Sequence, residues 1–294
     1  MNSLPSASTL RMTSNDLPEL HDGANQASLR GQKVFIRATA IKLGAVCLAA
    51  AAAIPHLTPR FERAQEIAVG ACFLAVLIVE AFIWATKPER NWYDGRAIAE
   101  SAKTMAWRFA VGAAPYPNND QTARTRLIKD LETLLSDAPD TDIHPSLKMP
   151  ISRVMEDIRA ASLEDRRQLY IRDRIGNQRE WYTRNSDINR KRASQWRIFL
   201  LVLEGVAIVG AFLGYVGAAG FFAALVGGGA AWMGVRQHEN TKRAYAFAAH
   251  ELSIAEEILR TVPDEASWAQ AVADAEEAVS REHTMWRASR SSAS

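Results

Sequence analysis

Two regions of this chain hold almost no polar positions. From Trp196 to Val235 the runs WRIFLLVLEGVAIVGAFLG and YVGAAGFFAALVGGGAAWMGV lie nose to tail, and their only formal charges are Arg197 at the edge and Glu204 inside. A bilayer core takes roughly 20 apolar residues per helix, so a span of ~40 predicts two crossings with a turn in the glycine-rich stretch Gly214 to Gly220. Nearer the N-terminus, IKLGAVCLAAAAAIP and IAVGACFLAVLIVEAFIWA flank a short loop from Pro55 to Arg63. They predict a second hairpin, more interrupted than the first, with Lys42 in one segment and Glu80 in the other. A buried core hairpin in a soluble helical protein is the alternative for this earlier pair. The pattern as a whole predicts an all-α membrane protein with four crossings in two hairpins, at about 38–86 and 196–235.

The polar stretches carry helical periodicity. Glu89 to Ala110 places Trp92, Ile98, Met105, Trp107 and Phe109 among charges, and Asp120 to Leu135 spaces Leu127, Ile128, Leu131, Leu134 and Leu135 at helical intervals. Breaks are expected at AAPYPNND and at the proline-containing linker 138–150, which divides an N-terminal module, 31–137, from a C-terminal one, 151–290. From about Ser162 the chain lacks proline and predicts one helix running straight into the membrane. Val235 to Arg260 predicts a helix leaving it, and a last helix follows with Trp268, Val272, Val279 and Trp286. Charge-laced polar faces make these long helices a water-exposed stalk or bundle.

Charge placement adds an orientation. Arg30, Lys33 and Arg37 precede the first crossing, Lys87, Arg90 and Arg96 follow the second, and Arg190, Lys191, Arg192 and Arg197 precede the third. Arg236, Lys242 and Arg243 follow the fourth, while the outer connections are short and nearly uncharged. The positive-inside rule then predicts a multi-pass protein of the inner (cell) membrane with both termini cytoplasmic. Arg190, Lys191, Arg192 and Arg197, with Arg184, form a basic collar that sets topology and attracts anionic lipid. A net charge of +2, with no basic run interleaved with exposed aromatics, argues against a nucleic-acid partner. Residues 1–30 lack a basic-then-apolar signal and are expected to be disordered and not cleaved for export. Cys47 and Cys72 fall inside crossings without metal or disulfide spacing.

Catalytic signatures are missing from the pattern. His250-Glu251 opens like a zinc-protease helix, but Ile254 stands where the second histidine must project. Gly227-Gly228-Gly229 lacks the Lys and Ser/Thr of a phosphate loop, and the other histidines are scattered. No catalytic residue, metal ligand or cofactor is expected, and an enzymatic role ranks last.

The membrane carboxylates are the positions that need explanation. Glu204 lies about eight residues, roughly 12 Å, into the third crossing, and exposing a charge there to lipid costs about 3 kcal/mol. It is either a pore-lining carboxylate repeated in a homo-oligomer or a structural Glu that locks helices together. Lys42 and Glu80 lie at matching depth on adjacent antiparallel helices and are expected to form an intramembrane pair. Gly210 to Gly214 is a small-xxx-small element suited to packing within or between subunits.

The string RIGNQREWYTRNSDINRKRASQW before the hairpin and the tail AEEAVSREHTMWRASR resemble the SLATT superfamily, the SMODS and SLOG-associating two-transmembrane effectors. The likeness rests on Gln178, Trp181, Tyr182 and Trp196, and on Glu277, Ser280, Arg281, Glu282, His283 and Trp286. A second, divergent module is similar through Ser101, Lys103, Thr104, Trp107 and Arg108, so two modules stand in tandem. The resemblance implies a pore-forming or membrane-perturbing effector in bacterial conflict or antiviral defence. Its trigger is expected from a cytoplasmic sensor protein or a nucleotide signal, since no such domain is fused. The alternative is a non-conducting scaffold that docks a partner through Trp181, Tyr182 and Trp286, a reading that requires those side chains to be exposed.

Overall fold

The computed structural model describes residues 10–54, 62–137, 141–145 and 147–291, with side chains described up to residue 279. Every regular element among them is helical. Four of the helical stretches, Glu19–Ala52, Glu62–Ala110, Leu163–Phe212 and Val216–Thr261, are long and apolar enough to cross a membrane. This is an all-α membrane protein, and its helices separate into two compact units.

The membrane unit contains residues 32–89 and 186–243. It is built from the C-terminal part of α1 (Glu19–Ala52), α2 (Glu62–Thr86), the C-terminal part of α7 (Asn177–Phe212) and α8 (Val216–Arg236). Large apolar side chains such as Leu74, Leu77, Ile78, Ile198, Leu201 and Ile208 point outward, the inverse of a water-soluble surface. Small residues let the helices approach. A Cβ on Gly228 would lie 3.1 Å from Cys47 Sγ, and one on Gly229 would lie 2.6 Å from Leu200 Cδ2, so these glycines seat α8 against α1 and α7. The second hairpin turns at Gly214, whose φ of +87° suits glycine, and α8 begins at Val216. The turn is thus tighter than the predicted Gly214 to Gly220. Most of the first hairpin's loop, residues 55–61, lies outside the described residues.

The helix expected to run unbroken from Val235 to Arg260 is instead divided. Gln237 adopts a left-handed conformation with φ 47° while its N–H still donates to Met233 O at 2.8 Å, and α9 (His238–Thr261) starts directly after it. Lys87 does the same between α2 and α3 (Pro88–Ala110), with φ 43° and a 2.9 Å bond to Ile83 O. A left-handed residue ends a helix by turning the backbone while still satisfying one of the last carbonyls. Both hairpins therefore leave through the same device, a structural repeat hidden by the different residues that carry it.

The helical unit gathers the described residues of Met1–Gly31, Arg90–Asn185 and Ala244–Ser294. It packs α3, α4 (Ala123–Ser136), α5 (Arg153–Ala160), α6 (Leu163–Tyr170), a π-helical turn (Ile171–Gly176), the start of α7, most of α9, and α10 (Glu265–Ser291) around one core. Ser152 and Ser162 cap α5 and α6 through their hydroxyls, which accept from Met155 N and Asp165 N. The run from Ser162 is helical, as its pattern predicts, but widens into the π-turn before α7.

The first 30 residues require a correction, because residues 10–30 are ordered rather than disordered. Thr13 and Asp16 close a capping box on a single 3-10 turn, Met12 and Leu17 are buried, and Arg172 Nη2 donates to Leu10 O at 2.8 Å. α1 begins at Glu19, and a Cβ on Gly95 would sit 2.8 Å from Ala24 O and Ser28 N, so glycine permits the close α1–α3 crossing. The polar composition of this segment concealed a short apolar set, Met12, Leu17, Ala24 and Ala27, that packs into the unit.

Trp268 sits at the centre of this core with 0% exposure. Its Nε1 donates to Val111 O at 2.8 Å and its ring meets Tyr170 edge-on at 5.9 Å. Trp268→Ala should cost about 3–5 kcal/mol, as expected for emptying a large aromatic site. Denaturation of the purified protein in detergent, followed by near-ultraviolet circular dichroism, measures that loss.

Candidate functional site

Glu204 occupies the middle of the membrane part of α7. The residues of that helix turned toward the rest of the unit are half-buried, namely Trp196, Leu200, Leu203, Ala207 and Gly210. Glu204 is exposed on the flank of that stripe, one turn from half-buried Leu200 and Ala207, and borders the fully exposed face of Leu201, Gly205, Ile208 and Phe212. A Cβ on Gly205 or Gly210 would meet nothing within 4 Å. On the exposed side of α7 the Glu204 carboxylate thus stands beside Gly205, which has open space before it among the described residues.

Lys42 Nζ donates to Glu80 Oε2 at 2.7 Å, joining α1 to α2. Cancelling two opposite charges within one hydrogen bond lowers the cost of holding both at membrane depth. The collar residues Arg190, Lys191, Arg192 and Arg197 are all exposed, with Arg190 3.6 Å from Asp187 and Arg197 3.6 Å from Glu239. Nearby, His238 Nδ1 lies 2.6 Å from Asn189 Oδ1. Burial, together with Arg236 and Arg192, lowers the His238 pKa and favours its neutral form.

The residues singled out before and after the second hairpin separate into packing and surface positions. Tyr182 is 0% exposed and Trp181 is half-buried, and both rings contact Tyr245 of α9, at 5.4 and 5.0 Å. Tyr182 is therefore a packing residue and offers no docking anchor. Gln178 is half-buried. The side chains of Ser280, Glu282 and Trp286 lie outside the described residues.

The strongest electrostatic arrangement in the helical unit involves a residue that the tail motif passes over. Glu276 is 0% exposed and accepts four hydrogen bonds: Arg174 Nε at 2.8 Å, Arg174 Nη2 at 2.6 Å, Tyr170 Oη at 2.9 Å and Thr104 Oγ1 at 2.9 Å. Burial opposes ionisation of Glu276, but the Arg174 guanidinium and these donors outweigh it and hold the carboxyl below the ordinary glutamate range. Burial, with the nearby Glu276 charge, pushes the Tyr170 hydroxyl well above its usual value, so it remains a donor. The sequence does carry a signal for this site. Trp268, Val272, Glu276 and Val279 share the buried stripe of α10, and a carboxylate on such a stripe requires a buried cation opposite it.

Among the described residues, no group of three or more His, Cys, Asp or Glu side chains is placed to hold a metal ion. Two family models match the chain. Residues 18–167 match SMODS and SLOG-associating 2TM effector domain 3, and residues 170–286 match SMODS and SLOG-associating 2TM effector domain 1. Searches of curated proteins and of solved structures return no match. The two matched ranges meet at 167–170, at the end of α6, C-terminal to the proline-containing linker.

Removing the carboxylate alone should be costly. Glu276→Gln leaves the Arg174 charge buried and uncompensated, with an expected loss of about 3–5 kcal/mol, whereas Arg174→Met with Glu276→Leu should lose much less than the sum of the single changes. Because the folded-state pKa of Glu276 is depressed, its contribution is complete above the unfolded value of about 4.5 and is lost as pH falls through the lower folded value. A double-mutant cycle measured by denaturation at pH 7 and again below pH 4.5 checks both expectations.

Proposed function

The chain belongs to the SLATT family, with two of its two-transmembrane effector domains in tandem, and from that premise we propose that it is a pore-forming membrane effector assembled from several identical chains. The carrying observation is Glu204, exposed halfway along a crossing and left uncovered by the described residues. A lone carboxylate facing lipid costs about 3 kcal/mol per chain, and gathering copies of α7 around a water-filled path removes that cost. Gly205, open on α7 beside Glu204, permits the close helix approach that such assembly needs. The outward apolar side chains then face either lipid or the neighbouring copy.

In this reading both termini and the helical unit are cytoplasmic, the collar of Arg190, Lys191, Arg192 and Arg197 rests on anionic headgroups, and the membrane is the cell's inner membrane. α1 and α7 each run without interruption from the helical unit into the membrane unit. They are the elements through which a signal received by the helical unit, from a sensor protein or a nucleotide, gates the pore. The protein performs no catalysis, and the permeability change is its whole output in bacterial conflict or antiviral defence. A docking scaffold is less well supported, because Tyr182 is engaged in packing.

Reconstitution in anionic-lipid vesicles with single-channel recording tests the proposal. Wild-type protein should give discrete cation-preferring currents, and Glu204→Gln should reduce unitary conductance and weaken the preference for cations. Wild-type current unchanged by the substitution removes Glu204 from the path. Crosslinking that yields only monomers overturns the assembly.

A further inference from the structure

The helical unit holds a half-open cavity of about 660 Å³ that the membrane reading does not use. Its volume lies within the roughly 300–1,000 Å³ typical of small-molecule sites. The charged side chains in its wall are Arg11, Arg96, Lys103 and Arg174 against Glu100 and Asp173, an excess of two positive charges (four minus two). Two neighbours outside the wall leave that balance intact. Glu276 sits behind Arg174, and Arg172 faces Asp173 at 2.7 Å.

Three features mark the cavity as built for an anion. Arg174 is 2% exposed, and while its Nε and Nη2 hold Glu276, its Nη1 has no hydrogen-bond partner among the described residues. A buried guanidinium N–H left unpaired costs roughly 1–3 kcal/mol or more, which an anionic acceptor in the cavity would recover. Lys103 and Arg96 share one carboxylate, Glu100, at 3.7 and 3.0 Å, and burial, followed by Arg174, lowers the Lys103 pKa despite that partner. An incoming negative charge reverses that pressure. Arg174 also stands in the π-turn, an irregularity found frequently at functional sites.

The remaining walls favour an organic body over a bare ion. Trp107 and Trp181 contribute aromatic surface, and Asn25, Asn177 and Gln178 contribute amides able both to donate and to accept. The ordered segment around Thr13 forms one side, held by the Arg172 bond to Leu10 O.

We propose that this cavity binds a small phosphorylated molecule carrying two negative charges, with Arg174 Nη1, Lys103 and Arg96 as its phosphate contacts. The assignment is independent of whether the membrane unit conducts.

Isothermal titration of the full-length protein in zwitterionic-lipid nanodiscs, with pyrophosphate and ribose 5-phosphate as probes, tests it. Both probes should bind with one site per chain. Lys103→Met and Arg96→Gln should each weaken binding about tenfold, the worth of one charge-assisted contact. Each substitution leaves the Arg174–Glu276 pair intact and leaves the buried Glu100 one of its two cations, Arg96 at 3.0 Å or Lys103 at 3.7 Å, so folding should survive. The paired collar variant Arg190→Gln with Lys191→Gln should bind as wild type does. The proposal is overturned if neither probe binds, if binding is unaffected by Lys103→Met and Arg96→Gln, or if the collar variant alone abolishes it.

Discussion

A carboxylate with no exposed surface can stay ionised only if its surroundings replace water completely, and Glu276 shows how this unit achieves it. Arg174 supplies a two-point contact, and Tyr170 and Thr104 fill the remaining acceptor positions. Each donor comes from a different local structure: the π-turn, the end of α6, and α3. Aligning them requires α3, α6 and α10 to pack in one register. The aromatic chain Trp107–Tyr170–Trp268, with both ring pairs at 5.9 Å, lies in the same place and depends on the same register. Charged hydrogen bonds impose direction here, and aromatic burial supplies most of the driving force.

The two family domains do not fold as two bodies. Each gives its hairpin to the membrane unit and its polar helices to the helical unit. Thr104 and Trp107 come from the first domain, and Arg174, Trp268 and Glu276 from the second, yet they share one core or one hydrogen-bond network. Solvent accounts for the exchange. Apolar helices gain by meeting apolar helices, while amphipathic ones bury their stripes only against each other, so like joins like across the repeat. The matched exits at Lys87 and Gln237 keep a trace of the original repeat in backbone geometry.

The membrane carboxylates show two responses to one constraint. Glu80 has an internal cation at 2.7 Å, whereas Glu204 is exposed and meets no cation among the described residues. The first is complete within one molecule, and the second is not. That contrast carries the proposal of assembly, with the cavity of the helical unit as a separate place where a diffusible anion can act.

Hydrophobic patterning alone determined the helical class and the four helices long and apolar enough to cross a membrane, and the tandem modules were legible in the family-like strings. Length and period are local properties, and a bilayer reads them directly. Glu276 was legible in outline, as a carboxylate on the buried stripe of α10, but its partner was not. Arg174 lies 102 residues away and reaches Glu276 from a widened helical turn that no local pattern announces. The order of residues 10–30 was invisible for a similar reason, since a few apolar side chains in a polar segment become significant only when a core exists to receive them. The inward and outward faces of α7, the burial of Tyr182 and the cavity beside Arg174 arise between elements distant in the chain. Only tertiary packing decided them, because burial and unpaired charge are properties of what surrounds a side chain.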